Sequence, residues 1–112
     1  MRVLMIIPAY NEEESIFDTV TSILSYRKKV DFDLDYVVIN DGSTDKTKQI
    51  LEDNHFNAVN LVMNLGIGGA VQTGYKYALE HDYDVAVQFD GDGQHDIESL
   101  SDLLEPIRKN EA

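Results

Sequence analysis

YVVINDGS, residues 36–43, passes within a few positions from an unbroken apolar run into a knot of small polar residues. A strand half-buried in a sheet alternates apolar and polar residues, whereas one covered on both faces reads as continuous Val and Ile. Three other runs have this character: VLMII (3–7), AVNLVM (58–63) and DVAVQF (84–89). The segments between them carry apolar residues at helical spacing. Ile16, Val20, Ile23 and Leu24 would line one face of the first helix, and Ile50 and Leu51 mark a shorter second. Val71, Tyr75, Ala78 and Leu79 mark the third, and Ile97, Leu100, Leu104 and Ile107 the fourth, which Pro106 would kink or shorten. The alternation βαβαβαβα predicts an α/β fold with a mainly parallel sheet and helices on both faces, a three-layer α/β/α sandwich.

Composition narrows the function. The chain of 112 residues suits one domain with a core of its own. With no cysteine it has neither disulfides nor thiolate metal sites, which suits the cytosol. A formal net charge of −12 argues against nucleic acid as a partner, because such partners select basic faces. It leaves room for a nucleotide, since a bound cation inverts the local field. VLMII is too short for a signal-peptide core and is closed by Pro8 and the acidic Glu12–Glu14, and no run is long enough to span a membrane. Arg27, Lys28 and Lys29 are expected to complement the carboxyl end of the first helix.

In an open parallel sheet, ligands bind beyond the carboxyl ends of the strands, near a reversal of strand order. Every strand here ends in candidate residues: Pro8, Ala9, Tyr10, Asn11 and Glu12; Asn40 to Ser43; Asn64, Leu65 and Gly66; Asp90, Gly91 and Asp92. Each has a purely structural alternative. Asn11 could cap the first helix, and Ser43 or Asp45 the second. Asp41–Gly42 could be a turn, and Tyr10 could pack over the sheet edge. Convergence of all four strand ends on one edge favours a site.

GIGGA (66–70) follows a strand and opens a helix, but the third glycine of a dinucleotide fingerprint is replaced by Val71. These glycines would instead let the backbone approach a ligand phosphate or a neighbouring strand. No phosphate-loop G-K-[ST] occurs. DGDGQHDIESLS (90–101) begins like a calcium EF-hand loop, yet His95 stands at the glycine place and Ser101 at the glutamate place. Asp90 and Asp92 are hard oxygen donors suited to Mg²⁺ or Mn²⁺ shared with ligand phosphates. Asp96 reads as the cap of the fourth helix. His95 is either a further ligand or phosphate contact, or an exposed loop residue; His55 and His81 fall where helices end.

IPAYNEEESI, VINDGSTDKT, NLGIGGAVQTGYKYA and QFDGDGQHD, in this order and spacing, resemble the family 2 glycosyltransferases of GT-A fold. The glycine-bearing segment and the DGDGQHD form are most similar to the polyprenyl-phosphate branch, which includes dolichyl-phosphate mannose synthases. The resemblance implies strand order 3-2-1-4 and a nucleotide-sugar donor (a UDP- or GDP-sugar). Pro8, Tyr10 and Glu12 would surround the nucleoside, Asp41 would read the base edge, and Gly66 would let the third loop approach. Asp90 would lie near the ribose and the metal, Gly91 would belong to the same nucleotide-sugar-binding set, and Asp90 and above all Asp92 would hold Mg²⁺ or Mn²⁺ across the diphosphate. The acceptor would be a lipid phosphate or a glycan, reached by the full-length protein at the cytoplasmic face of a membrane. Family members are longer, so residues 1–112 are expected to be the donor-binding part, without the acceptor-binding part, and poorly active alone. No catalytic base is assigned in this chain. The alternatives are a non-catalytic calcium- or nucleotide-binding module, a nucleotidyltransferase, for which the acidic PAYNEEES is unsuited, and a dehydrogenase, weakened by Val71.

Overall fold

The apolar runs pair side by side in the computed structural model, whose described residues are 1–89. Strand β1 (Arg2–Ala9) leads to helix α1 (Ile16–Tyr26), which closes in a 3-10 turn over Arg27–Lys29. Then come β2 (Asp33–Asp41), α2 (Thr47–Asp53), β3 (Ala58–Leu61), α3 (Gly66–Glu80) and β4 (Val85–Gln88). The strands form one sheet in the order β3-β2-β1-β4 with every neighbouring pair parallel. The chain steps outward from β1 to β3 and returns on the other side of β1, so the order reverses there. The predicted helix over 97–107 and the residues Asp90, Gly91, Asp92, His95 and Asp96 lie outside the described residues.

Alternate residues of the two central strands feed two cores. Val3, Met5 and Ile7 of β1 with Leu34, Tyr36 and Val38 of β2 meet Ile16, Val20 and Ile23 of α1 and Leu51 of α2. Leu4 and Ile6 with Val37 and Ile39 meet Ala70 and Ala78 of α3 on the opposite face. The double coverage explains why β1 and β2 read as unbroken apolar runs.

The edge strands are shorter than the sequence suggests. Asp41, the last residue of β2, pairs with Leu61. Val62 and Met63 therefore have no partner to extend the ladder, and they stand 98% and 64% exposed. The helix α3 buries Ala78 as expected but is otherwise turned differently from the expectation. Tyr75 and Leu79 are exposed, and the buried stripe is Ala70, Gly74 and Ala78. A Cβ on Gly74 would stand 2.3 Å from Cγ2 of Ile6. Small residues let this helix lie against the sheet, so Tyr75 and Leu79 point away while Tyr77 packs at the margin of that core.

Candidate functional site

The loops after β1, β2 and β3 meet at the carboxyl edge of the sheet around a cleft of about 230 Å³. Its lining includes Pro8 from the end of β1, Tyr10 and Glu12 from the loop that follows, Asp41 from the end of β2, Asn64 from the third loop, and Gly66 and Ile67 from the start of α3. Pro8, Tyr10, Glu12, Asp41 and Gly66, expected in a site from the sequence, thus share one cavity. Asp90, Gly91 and Asp92 lie outside the described residues, though β4 ends at this same edge, where the Phe89 amide donates to the Ile6 carbonyl at 2.8 Å.

Asp41 organises the cleft floor. It is 3% exposed, and its Oδ1 accepts the Leu65 amide at 2.7 Å. Its carbonyl accepts Nδ2 of Asn64 at 3.2 Å, while Oδ1 of Asn64 accepts the Gly66 amide at 3.1 Å. The turn into α3 is therefore tied to the end of β2. Sequence reasoning identifies Asn64 only as a strand-end residue and misses Ile67 and Ala70, since a lone apolar residue in a helix's first turns carries no signal of its own.

Two glycines serve this junction in different ways. Gly42 has φ +68°, and a Cβ there would meet the backbone of Met63 and Asn64 at 2.6 Å. Gly66 has φ +82°, and a Cβ there would find no atom within 4 Å, so it is conformation, not crowding, that suits glycine at this position. The close approach to a neighbouring strand occurs at Gly74 instead.

Asn11 does not cap α1. With φ 53° it turns back toward the second loop, where its Oδ1 accepts the Thr44 amide at 2.8 Å and the Asp45 amide at 3.3 Å. Its own amide donates to Oγ of Ser43 at 3.0 Å. Asp45 does serve the start of α2: its Oδ1 accepts both the amide and the hydroxyl of Thr47, at 2.9 and 2.6 Å. Burial pushes the Asp45 carboxyl up, but the bonds from Thr47 and from the Glu13 amide together outweigh it and hold the group below its ordinary range. Tyr10, 46% exposed, borders the cleft rather than packing beneath it. His81 ends α3 and stacks on Tyr77 at 4.0 Å, and His55 follows α2, both away from the cleft lining.

Among the described residues no group of three or more His, Asp or Glu side chains is arranged to hold a metal ion, and no helix is long and apolar enough to cross a membrane. The chemistry that the cleft itself can perform is recognition: an aromatic ring at the rim, a carboxylate on the floor, and a glycine-opened helix start beside them.

A sequence profile of the family described as Glycosyl transferase family 2 matches residues 5–112. An undecaprenyl-phosphate mannosyltransferase of Micrococcus luteus is 39% identical over 113 residues, covering 96% of this chain and 45% of that protein. A UDP-N-acetylglucosamine–dolichyl-phosphate N-acetylglucosaminyltransferase of Methanococcus voltae is 34% identical, covering 94% of this chain and 47% of that protein. The chain thus spans under half the length of these relatives. Among solved structures, TarS 1–349 of S. aureus in complex with UDP-GlcNAc superimposes with a TM-score of 0.66 at 27% identity, covering 97% of this chain and 32% of that one.

Proposed function

The chain belongs to glycosyl transferase family 2, and on that premise we propose that residues 1–112 form the donor-binding part of an enzyme moving a sugar from a nucleoside-diphosphate sugar to an acceptor. The observation that carries this reading is the cleft, which gathers Pro8, Tyr10, Glu12, Asp41 and Gly66 at the carboxyl edge beside the reversal of strand order. Tyr10 and Pro8 offer an apolar wall to the nucleoside, and Glu12 a hydrogen-bond acceptor to its polar rim. Leu65 holds one oxygen of Asp41, which leaves the other to accept an N–H from the base edge. Gly66 keeps the third loop free of a side chain where the donor's phosphates would approach.

Asp90 and Asp92, with Gly91 between them, supply hard oxygen donors that would hold Mg²⁺ or Mn²⁺. When bound, the ion would neutralise the charge of the leaving diphosphate. The polyprenyl- and dolichyl-phosphate names of the two relatives support a lipid phosphate as acceptor, which would set the reaction at the cytoplasmic face of a membrane.

Calorimetry tests the donor reading. UDP or GDP should bind this chain, and more tightly with Mn²⁺ or Mg²⁺ than with EDTA. Asp92→Asn should remove most of that metal dependence and leave the fold intact. Binding of Ca²⁺ alone, with no nucleotide bound under any condition, would overturn the reading in favour of a calcium module.

A further inference from the structure

Asn11 stands between Tyr10 and Glu12, yet it lines no part of the cleft. Its side chain and backbone are engaged instead by the loop after β2, through Ser43, Thr44 and Asp45. The same seam continues on either side. The Glu12 amide donates to Oγ1 of Thr47 at 2.9 Å, and the Glu13 amide to Oδ2 of Asp45 at 3.2 Å. Below it, the Ser43 hydroxyl donates to Oδ1 of Asn40, whose Nδ2 donates to Oδ1 of Asn60 at 2.9 Å. Three consecutive amides of the first loop, at residues 11 to 13, thus end on side chains of the second loop and of the first residue of α2.

Resting on the donor-binding reading, we propose that Asn11 is a positioning residue: it latches the first loop to the second so that Tyr10 and Glu12 face the cleft before any ligand arrives. A left-handed φ of 53° at a residue with a side chain is sparsely populated, and the short amide side chain of Asn is among the few that tolerate it. The Oδ1 that accepts two amides of the neighbouring loop holds that conformation in place. An unlatched loop would sample other arrangements, and binding would then bear the loss of that freedom.

The experiment compares the unaltered chain with Asn11→Gly, Asn11→Asp and Ser43→Ala, titrating UDP and GDP in the presence of Mn²⁺ and following amide hydrogen exchange. Glycine keeps the backbone conformation and removes the acceptor, aspartate keeps the acceptor, and Ser43→Ala opens the latch from the opposite loop. Asn11→Gly and Ser43→Ala should each weaken nucleotide binding about five- to tenfold, as loss of about one net hydrogen bond predicts. Asn11→Asp should bind within about twofold of the unaltered chain. Exchange at the Thr44 and Asp45 amides should quicken in Asn11→Gly while the β1 and β2 amides stay protected. Unchanged affinity in Asn11→Gly and Ser43→Ala, or an equal fall in Asn11→Gly and Asn11→Asp, overturns the latch. Failure of the unaltered chain to bind either nucleotide sinks the donor reading and this role with it, and the exchange data still report whether the two loops are tied.

Discussion

Asp41 and Asp45 lie four positions apart and work in opposite directions, one into the cleft and one into the scaffold. Replacing Asp41 by Ala would strand the Leu65 amide in a part-buried turn, at a loss of about 1–3 kcal/mol in denaturant unfolding. Asp41→Asn keeps an acceptor there and should be much milder in stability. Asp41→Ala should also weaken nucleotide binding by a similar factor with and without metal, because the proposed contact is to the base; calorimetry in Mn²⁺ and in EDTA would show this. Asp45 is read through pH. Its folded pKa lies below the ordinary value, so its contribution to stability is present above the unfolded carboxylate range and is lost as pH falls through the folded pKa. Asp45→Asn should therefore flatten the acid side of the stability profile below about pH 4, measured as unfolding free energy against pH.

At the scale of elements, contact distances decide what single substitutions do. Gly74→Ala would drive a methyl into Ile6 where α3 crosses β1, and overpacking of this kind costs about 1–3 kcal/mol. Gly68→Ala, in the same helix but with nothing within 4 Å, should be neutral or stabilising by up to about 1 kcal/mol. Thermal melts of the two variants side by side check the contrast. The opposite edge of the sheet has its own fastening. The Tyr83 hydroxyl donates to Oδ2 of Asp35 at 2.9 Å, and the Arg2 guanidinium stands 4.3 Å over the Tyr83 ring. Burial, followed by the Asp35 bond and charge, pushes the phenol up to about 12. The neutral phenol favours the fold, so this contribution holds below the unfolded tyrosine value near 10 and is lost as pH rises toward the folded one. Tyr83→Phe should lessen the fall in stability over that alkaline interval.

For the whole molecule, three loops from separate strands must be held together for the cleft to exist, so the proposed donor binding would be coupled to folding. A nucleoside diphosphate present at 100 times its dissociation constant should stabilise the chain by about 2.7 kcal/mol. Differential scanning calorimetry with UDP or GDP should then show the melting temperature rising by several degrees, further with Mn²⁺ than with EDTA.

Much of this architecture is legible in the amino-acid order. Unbroken apolar runs at 3–7 and 36–40 require strands covered on both faces, and the helical spacing between them requires a parallel sheet. Parallel strands carry their polar carboxyl ends to one edge, which gathers the strand-end residues, and the family resemblance singles out Pro8, Tyr10, Glu12, Asp41 and Gly66 among them. The strand order needed the family resemblance, because local patterning is the same for every permutation of parallel strands. Tertiary structure alone decided the rest. Which face of α3 is buried depends on the space above Ile6, and that space admits Gly74 rather than Tyr75 or Leu79. The carboxyl end of β3 depends on where β2 stops offering partners. Whether Asn11 caps its own helix or clasps the next loop turns on one backbone angle and on a neighbour more than thirty positions away, which no local pattern can specify.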